Sequence, residues 1–225
     1  MKGVGESLKN EIAVLFDLDG VIVDTAKHHY LAWKQLADEL GFDFTVEDNE
    51  RLKGVSRMDS LNILLEIGNI SVSESEKISL ASKKNQRYVE SISNMDERDI
   101  LPGVKAFLYE LKSNGIPFAL GSASKNAPMI LKKIGLYDDF SAIVDGNAIN
   151  KAKPDPEVFI LGAKKLNVEP ENCVVFEDAQ SGIEAGKRAG MKVVGVGDPK
   201  VLAGADLYID TMEDMTLSRI KGLFF

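Results

Sequence analysis

The 225-residue sequence has one cysteine, Cys173, so no disulfide can form within the chain. That excludes a disulfide-stapled secreted scaffold and fits a reducing compartment. Cys173 lies in the apolar run NCVVF, where it reads as a small buried hydrophobe. No apolar stretch approaches the roughly 18 residues that a membrane span requires. The opening MKGVGESLKN has no hydrophobic h-region, so no signal peptide is expected and the cytoplasm is the default location. An excess of positive charge is also missing: 27 Lys and Arg stand against 35 Asp and Glu, a formal net charge of −8. Such a chain has no global field to draw in nucleic acid or an anionic membrane, and neither is expected as a partner. There is no internal repeat and no low-complexity tract.

What is present is an ordinary globular balance, 44% apolar and 28% charged. The length suits one large domain or two small ones with a core of their own. Short runs of strand length recur at Ile12–Phe16, Pro117–Leu120, Ser141–Val144, Asn172–Phe176 and Lys192–Val196, with a weaker one at Asp206–Ile209. They are continuous rather than alternating, which suits strands covered on both faces. Helical patterns lie between them at Val104–Ser113, Pro128–Ile134, Pro156–Leu166, Gly182–Ala189 and Glu213–Leu223. This rhythm predicts a Rossmann-like α/β fold, a parallel sheet with helices on both faces. Residues 28 to about 95 break it, with helical patterns only, at His29–Leu40, Arg57–Leu65 and Ser73–Ser91. The expected organisation is an α/β core of residues 1–26 and 97–225, with an all-helical insertion over 27–96.

Open α/β sheets bind ligands at the carboxyl ends of their strands. There the sequence offers Asp17-Leu18-Asp19-Gly20 after the first strand and Gly121 to Asn126 after the second. Lys151-Ala152-Lys153-Pro154 follows the third, and Glu177-Asp178 ends the fourth. Asp17, Asp19 and Asp178 in one cleft would repel one another without a cation. Oxygen ligands alone point to Mg²⁺. A cation would also let a carboxylate approach a phosphate, with Lys153 as a second positive charge. Ser122 and Ala123 supply hydroxyl and N–H donors. A helix starting at Asn126, read as its N-cap, adds a dipole suited to anions. Together these describe phosphoryl transfer through an aspartyl phosphate.

DLDGVIVDT at 17–25, GSAS at 121–124, the lysine at 153 and the Glu-Asp pair at 177–178 resemble, in order and spacing, the four motifs of the haloacid dehalogenase superfamily. The helical insertion is similar to that family's cap. DTAKHHYLAWKQLA, the loop GVSRMDSL at 54–61, Lys84-Asn85 and SASKN at 122–126 narrow the resemblance to the β-phosphoglucomutase branch. It covers nearly the whole chain apart from the first ten residues, for which the sequence offers no function.

The resemblance implies roles. Asp17 would be the phosphorylated nucleophile. Asp19 would be the general acid/base, binding Mg²⁺ through its backbone carbonyl. Asp178 would be a side-chain metal ligand, and Glu177 a ligand or a partner acting through water. Ser122, Ala123 and Lys153 would hold the transferring phosphate. Arg57, Ser124, Lys125 and Asn126 would hold the other. Thr25, His29 and Lys84 would position Asp19, while Trp33, Gly54, Val55 and Ser56 would line the sugar. Blander readings stand beside several of these. Thr25 suits a helix N-cap, Trp33 suits core packing, Gly54 suits a turn, and Lys84 lies in a charged run. A lone histidine such as His29 is usually structural or solvated. Ala179 stands where the family pattern leads one to expect serine.

The implied activity is a mutase. It would interconvert β-D-glucose 1-phosphate and β-D-glucose 6-phosphate through β-D-glucose 1,6-bisphosphate, with Mg²⁺ as cofactor, in a monomer. The alternative is a Mg²⁺-dependent sugar-phosphate phosphatase, with water as acceptor. A non-catalytic sugar-phosphate sensor would be expected to have lost the nucleophile, and Asp17 is present.

Overall fold

The computed structural model describes residues 12–224. The reading of the N-terminal ten residues therefore falls outside what it describes. Six strands form one parallel sheet in the order β3-β2-β1-β4-β5-β6. They are β1 (Ala13–Phe16), β2 (Phe118–Gly121), β3 (Ala142–Val144), β4 (Cys173–Glu177), β5 (Lys192–Val196) and β6 (Leu207–Ile209). β1 sits centrally, with Leu15 paired to Ala119 on one side and to Val175 on the other. The order runs outward in both directions from β1, so the switch point lies at its carboxyl end.

Successive residues of β1 face opposite sides of the sheet. Val14 and Phe16 join one core, with Phe118, Leu120, Val174 and Phe176. Ala13 and Leu15 join the other, with Cys173, Val175 and Val193. The first core is covered by α5 (Val104–Ser113), α6 (Ala127–Lys133) and α9 (Leu217–Lys221). The second lies under α7 (Glu157–Leu166) and α8 (Gln180–Arg188). Cys173 is a free, fully buried thiol, as its sequence surroundings implied, and burial pushes its pKa up to about 12.

Between β1 and β2 the chain forms four helices: α1 (Ala26–Leu40), α2 (Val46–Glu50), α3 (Arg57–Ile67) and α4 (Glu74–Ser91). They build a core of their own around Trp33, Leu36, Phe44, Leu61 and Leu64. The two passages between this helical unit and the sheet lie side by side. Val23 bridges Ile100, and the Leu101 N–H donates to the Ile22 carbonyl at 3.0 Å. Among the described residues no helix is long and apolar enough to cross a membrane.

Two local expectations need correction. The helix expected over Glu213–Leu223 is a 3₁₀ turn at Met212–Asp214 followed by α9. Met215 is extended between them, because Thr216 caps a fresh helix by accepting the Arg219 N–H, while Met215 itself is buried. Helix α2 was not expected at all. Its signal is Thr45-x-x-Asp48, in which each side chain satisfies the other residue's N–H.

Phe16 places its ring 5.1 Å from that of Phe176 and 6.1–6.3 Å from Phe107, Phe118 and Phe140. It is the fully buried hub of the first core. Phe16→Ala should cost about 3–5 kcal/mol in a urea unfolding titration; a cost below 1 kcal/mol would mean that the core collapses to fill the hole.

Candidate active site

Asp17 follows directly on β1, and its N–H donates to the Phe176 carbonyl, so its backbone is fixed by the sheet. The chain then turns tightly. The Gly20 N–H donates to the Val23 carbonyl at 2.7 Å, and the N–H groups of Ile22 and Val23 both donate to Leu18. Gly20 has φ +76°, and a Cβ there would stand 2.1 Å from Oδ2 of Asp178. Only glycine lets the first and fourth strand ends approach this closely.

Lys153 arrives from the loop beyond β3 and has no side-chain exposure. Its Nζ donates to Asp17 Oδ1 at 2.5 Å and to Glu177 Oε1 at 2.6 Å. Burial works against its charge, but Asp17 and Glu177 outweigh that and raise its pKa. The second oxygen of Glu177 accepts the Ala179 N–H at 3.0 Å. Asp17, Glu177 and Asp178 each bring an oxygen within 4.8 Å of the others. Burial, then Glu177 and Asp17, push the Asp178 carboxyl well above its usual range. One ammonium cannot neutralise three carboxylates, so the cluster has the charge deficit and the hard oxygen donors of a Mg²⁺ site. Both oxygens of Glu177 are already engaged by protein donors, which fits it better to an outer role than to direct ligation.

Asp19 turns away from this cluster. Its Oδ1 accepts the Thr25 hydroxyl, and its Oδ2 lies 3.9 Å from His29 Nε2. Thr25 does occupy the N-cap position of α1, but its hydroxyl serves Asp19 and makes no cap bond. Lys84 Nζ lies 2.8 Å from His29 Nδ1. Burial first, then Lys84 and Arg57, lower the His29 pKa well below its usual value. The ring is therefore neutral at pH 7. Its Nδ1 accepts from Lys84, which leaves the proton on Nε2, toward Asp19. Burial, followed by the Asp17 charge, raises the Asp19 pKa to about 7. A carboxyl so poised can both give and take a proton near neutrality.

Lys84 is 2% exposed, so the solvated reading of its charged run does not hold. Its ammonium lies 4.5 Å from the centre of the Trp33 ring and 5.0 Å from that of Tyr88. Burial, then Arg57, brings its pKa down to about 7. Tyr88 stacks on His29 at 4.0 Å. Sequence reasoning missed Tyr88, although Ala81, Lys84 and Tyr88 recur at helical spacing along one face of α4. Trp33 belongs both to the helical unit's core and to the cavity wall.

Asp17, Asp19, Asp178, His29, Trp33 and Lys84 line a cavity of about 410 Å³ between the sheet and the helical unit. Gly54, Val55, Ser56, Arg57 and all of Ser122–Asn126 line it too, whereas Lys153 and Glu177 lie beneath its floor. Lys53, Ser60 and Asn85 also line it and had been given no role from the sequence. Two expectations are corrected in detail, while Ser56 lines the cavity as expected with its hydroxyl already engaged. The Ser122 N–H donates to the Val144 carbonyl at 3.0 Å, so the donors left there for a ligand are its hydroxyl and the Ala123 N–H. Asn126 does not cap α6; its amide donates to Asn85 of α4 at 2.9 Å, and α6 has only seven residues. The Ser56 hydroxyl is committed to capping α3, bonded to Asp59 at 2.6 Å. Among the described residues neither Arg57 nor Lys125 has a carboxylate partner, so the cavity lining includes two cations without a counter-charge.

Lys153→Met would leave Asp17 and Glu177 without their shared cation. In metal-free buffer at pH 8 it should destabilise the fold by about 3–5 kcal/mol. Burial already raises the Glu177 carboxyl to about 7 with Lys153 holding it down, and removing the ammonium raises it further. A carboxyl with a raised folded pKa favours the fold only while protonated. The deficit should therefore shrink at pH 5 and deepen as the pH rises past 7. Urea titrations at the two pH values check the sign; a deficit that deepens toward acid would contradict it.

The family model for haloacid dehalogenase-like hydrolases matches residues 13–190. A β-phosphoglucomutase of Bacillus subtilis is 45% identical over 207 residues, covering 91% of this chain and 92% of its own. A phosphorylated carbohydrates phosphatase of Thermotoga maritima is 35% identical over 183 residues, covering 80% of this chain and 82% of its own. The crystal structure of a β-phosphoglucomutase from Clostridium difficile superposes with a TM-score of 0.91 at 45% identity, covering 94% of this chain and 96% of the other. On the matched span, and on a sheet whose strand ends carry all four motifs, the chain belongs to the haloacid dehalogenase-like hydrolase family.

Proposed function

We propose that this protein is a Mg²⁺-dependent mutase that interconverts β-D-glucose 1-phosphate and β-D-glucose 6-phosphate. The path runs through β-D-glucose 1,6-bisphosphate and a phosphoaspartate at Asp17. The observation that carries the proposal is one cavity that gathers two sets of anion-binding groups. Ser122 and Ala123 line it with Asp17, and so do Arg57 and Lys125, which have no ion-pair partners among the described residues. A mutase needs both, because its bisphosphate intermediate must bind in either orientation. The likeness to the two β-phosphoglucomutases supports the same reading.

In the first half-reaction Asp17 attacks the phosphorus of the bisphosphate. Lys153 holds one of its oxygens and leaves the other free to bond. The bond from phosphorus to the sugar oxygen breaks, and that oxygen takes the proton of Asp19. In the second half-reaction that sugar phosphate leaves, and a molecule of its isomer, phosphorylated at the other position, binds and presents its free hydroxyl. Asp19 takes the hydroxyl proton, the oxygen attacks phosphorus, and Asp17 is freed. His29, fixed by Lys84 and Tyr88, and Thr25 orient Asp19 between these tasks. Asp17 and Asp178 would hold Mg²⁺ together with the Asp19 carbonyl, with Glu177 behind them. Bound there, the ion supplies the positive charge that lets carboxylate and phosphate meet.

The helical segment 27–96 acts as a cap over the core. Closed, it excludes bulk water and carries Arg57 to the phosphate that stays in place. The sugar wins over water by being positioned. In this reading the enzyme is a monomer of the cytoplasm, and every residue named for the site comes from one chain.

The second reading is a sugar-phosphate phosphatase, which the Thermotoga maritima relative keeps in view. A coupled assay separates the two. Protein, Mg²⁺ and β-glucose 1-phosphate with a trace of the bisphosphate should give glucose 6-phosphate and little free phosphate, and Asp17→Asn should abolish it. Free phosphate as the main product would establish the phosphatase. Arg57→Ala removes a charge-assisted contact to the stationary phosphate. It should raise KM about tenfold to a hundredfold and increase the share of free phosphate.

A further inference from the structure

We propose that Ser181 is a positioning residue for the reaction: its hydroxyl ties the cap loop that leads into Arg57 to the first turn of α8. The tie rests on geometry, and its consequence for the choice of sugar over water rests on the mutase reading. Ser181 Oγ donates to the Lys53 carbonyl at 3.1 Å, across 128 positions of sequence. The Lys53 ammonium is engaged elsewhere, with Glu50 at 2.9 Å, so only its backbone takes part. The next residue, Gly54, has φ +73°, and a Cβ there would stand 2.3 Å from Ser181 Oγ. Glycine thus provides both the left-handed turn and the space into which the hydroxyl fits.

The turn that carries Ser181 is itself anchored to the carboxylate cluster. The Ala179 N–H donates to Glu177, and Gly182 is packed so close that a Cβ would lie 1.8 Å from Glu177 Oε1. One face of this turn therefore buttresses the carboxylates, while the other grips the cap loop four residues before Arg57. A second bond, from Asn126 to Asn85 at 2.9 Å, also joins core to cap. The cap is thus tied at two points, and Ser181 serves the one that leads into Arg57. The serine expected at position 179 is alanine, and the hydroxyl of this turn stands two residues later, at Ser181.

Ser181→Ala tests this cleanly, because alanine at this helical position preserves α8. Losing this one hydrogen bond between core and cap should raise KM for β-glucose 1-phosphate about threefold to tenfold. The effect on kcat should be smaller, and the ratio of free phosphate to glucose 6-phosphate should rise. Amide exchange at residues 53–57, measured with Mg²⁺ and glucose 6-phosphate present, should quicken relative to the unaltered protein. Gly54→Ala should be impaired more, and adding Ser181→Ala to it should restore part of the loss by removing the clash. Unchanged KM, product ratio and exchange in Ser181→Ala would overturn the tie while leaving the mutase standing. Faster exchange in a protein that makes no glucose 6-phosphate would keep the tie and remove its role in choosing the acceptor.

Discussion

A lysine ammonium with no exposure sits between two carboxylates, and the rest of the site is arranged around it. Lys153 reaches Asp17 and Glu177 from a loop that starts at the far edge of the central strands. Burying three charges is costly unless each finds a partner. That cost fixes the ends of β1 and β4 and the loop after β3 relative to one another. Asp17 is thereby held in one orientation, with a single oxygen left to react. The same crowding leaves Asp178 and Asp17 short of positive charge, which is why the site suits Mg²⁺ and an anionic phosphate.

Asp19 is set apart from that cluster by a tight turn, and the separation divides the labour. Asp17 stays near Lys153, while Asp19 is drawn toward neutrality by burial and by its charged neighbour. Its partners come from the cap side of the cavity: Thr25 at the start of α1, then His29, ordered by Lys84 and Tyr88. In the proposed mechanism proton transfer is thus linked to the same helices that would exclude water and carry Arg57, and closure and chemistry would share one set of side chains.

Much of this was legible in the sequence because the functional groups sit where strand runs end. Asp17, Lys153, Glu177 and Asp178 could each be assigned to the edge of one sheet before any contact was known. The strand runs and nearly all the helices follow from apolar spacing. What spacing could not show is where a polar atom finds its partner. Asn126 looks like an N-cap, yet its amide bonds to Asn85, 41 positions away. The Ser122 N–H looks free, yet the neighbouring strand takes it. Lys84 looks solvated because its neighbours are charged, while α4 turns it under Trp33 and Tyr88. The break at Met215 escaped for the same reason, since one threonine hydroxyl restarts the helix there.

The central claim is that a phosphate held on Asp17 passes to a sugar while water stands excluded. It is tested most directly by following that phosphate. The protein is charged with radiolabelled β-glucose 1,6-bisphosphate and Mg²⁺, freed of excess label, and divided between buffer and β-glucose 1-phosphate. Label should be acid-stable on the protein, persist in buffer, and move rapidly to sugar bisphosphate and glucose 6-phosphate when the sugar is added. Label released as inorganic phosphate at one rate, with or without sugar, would contradict it.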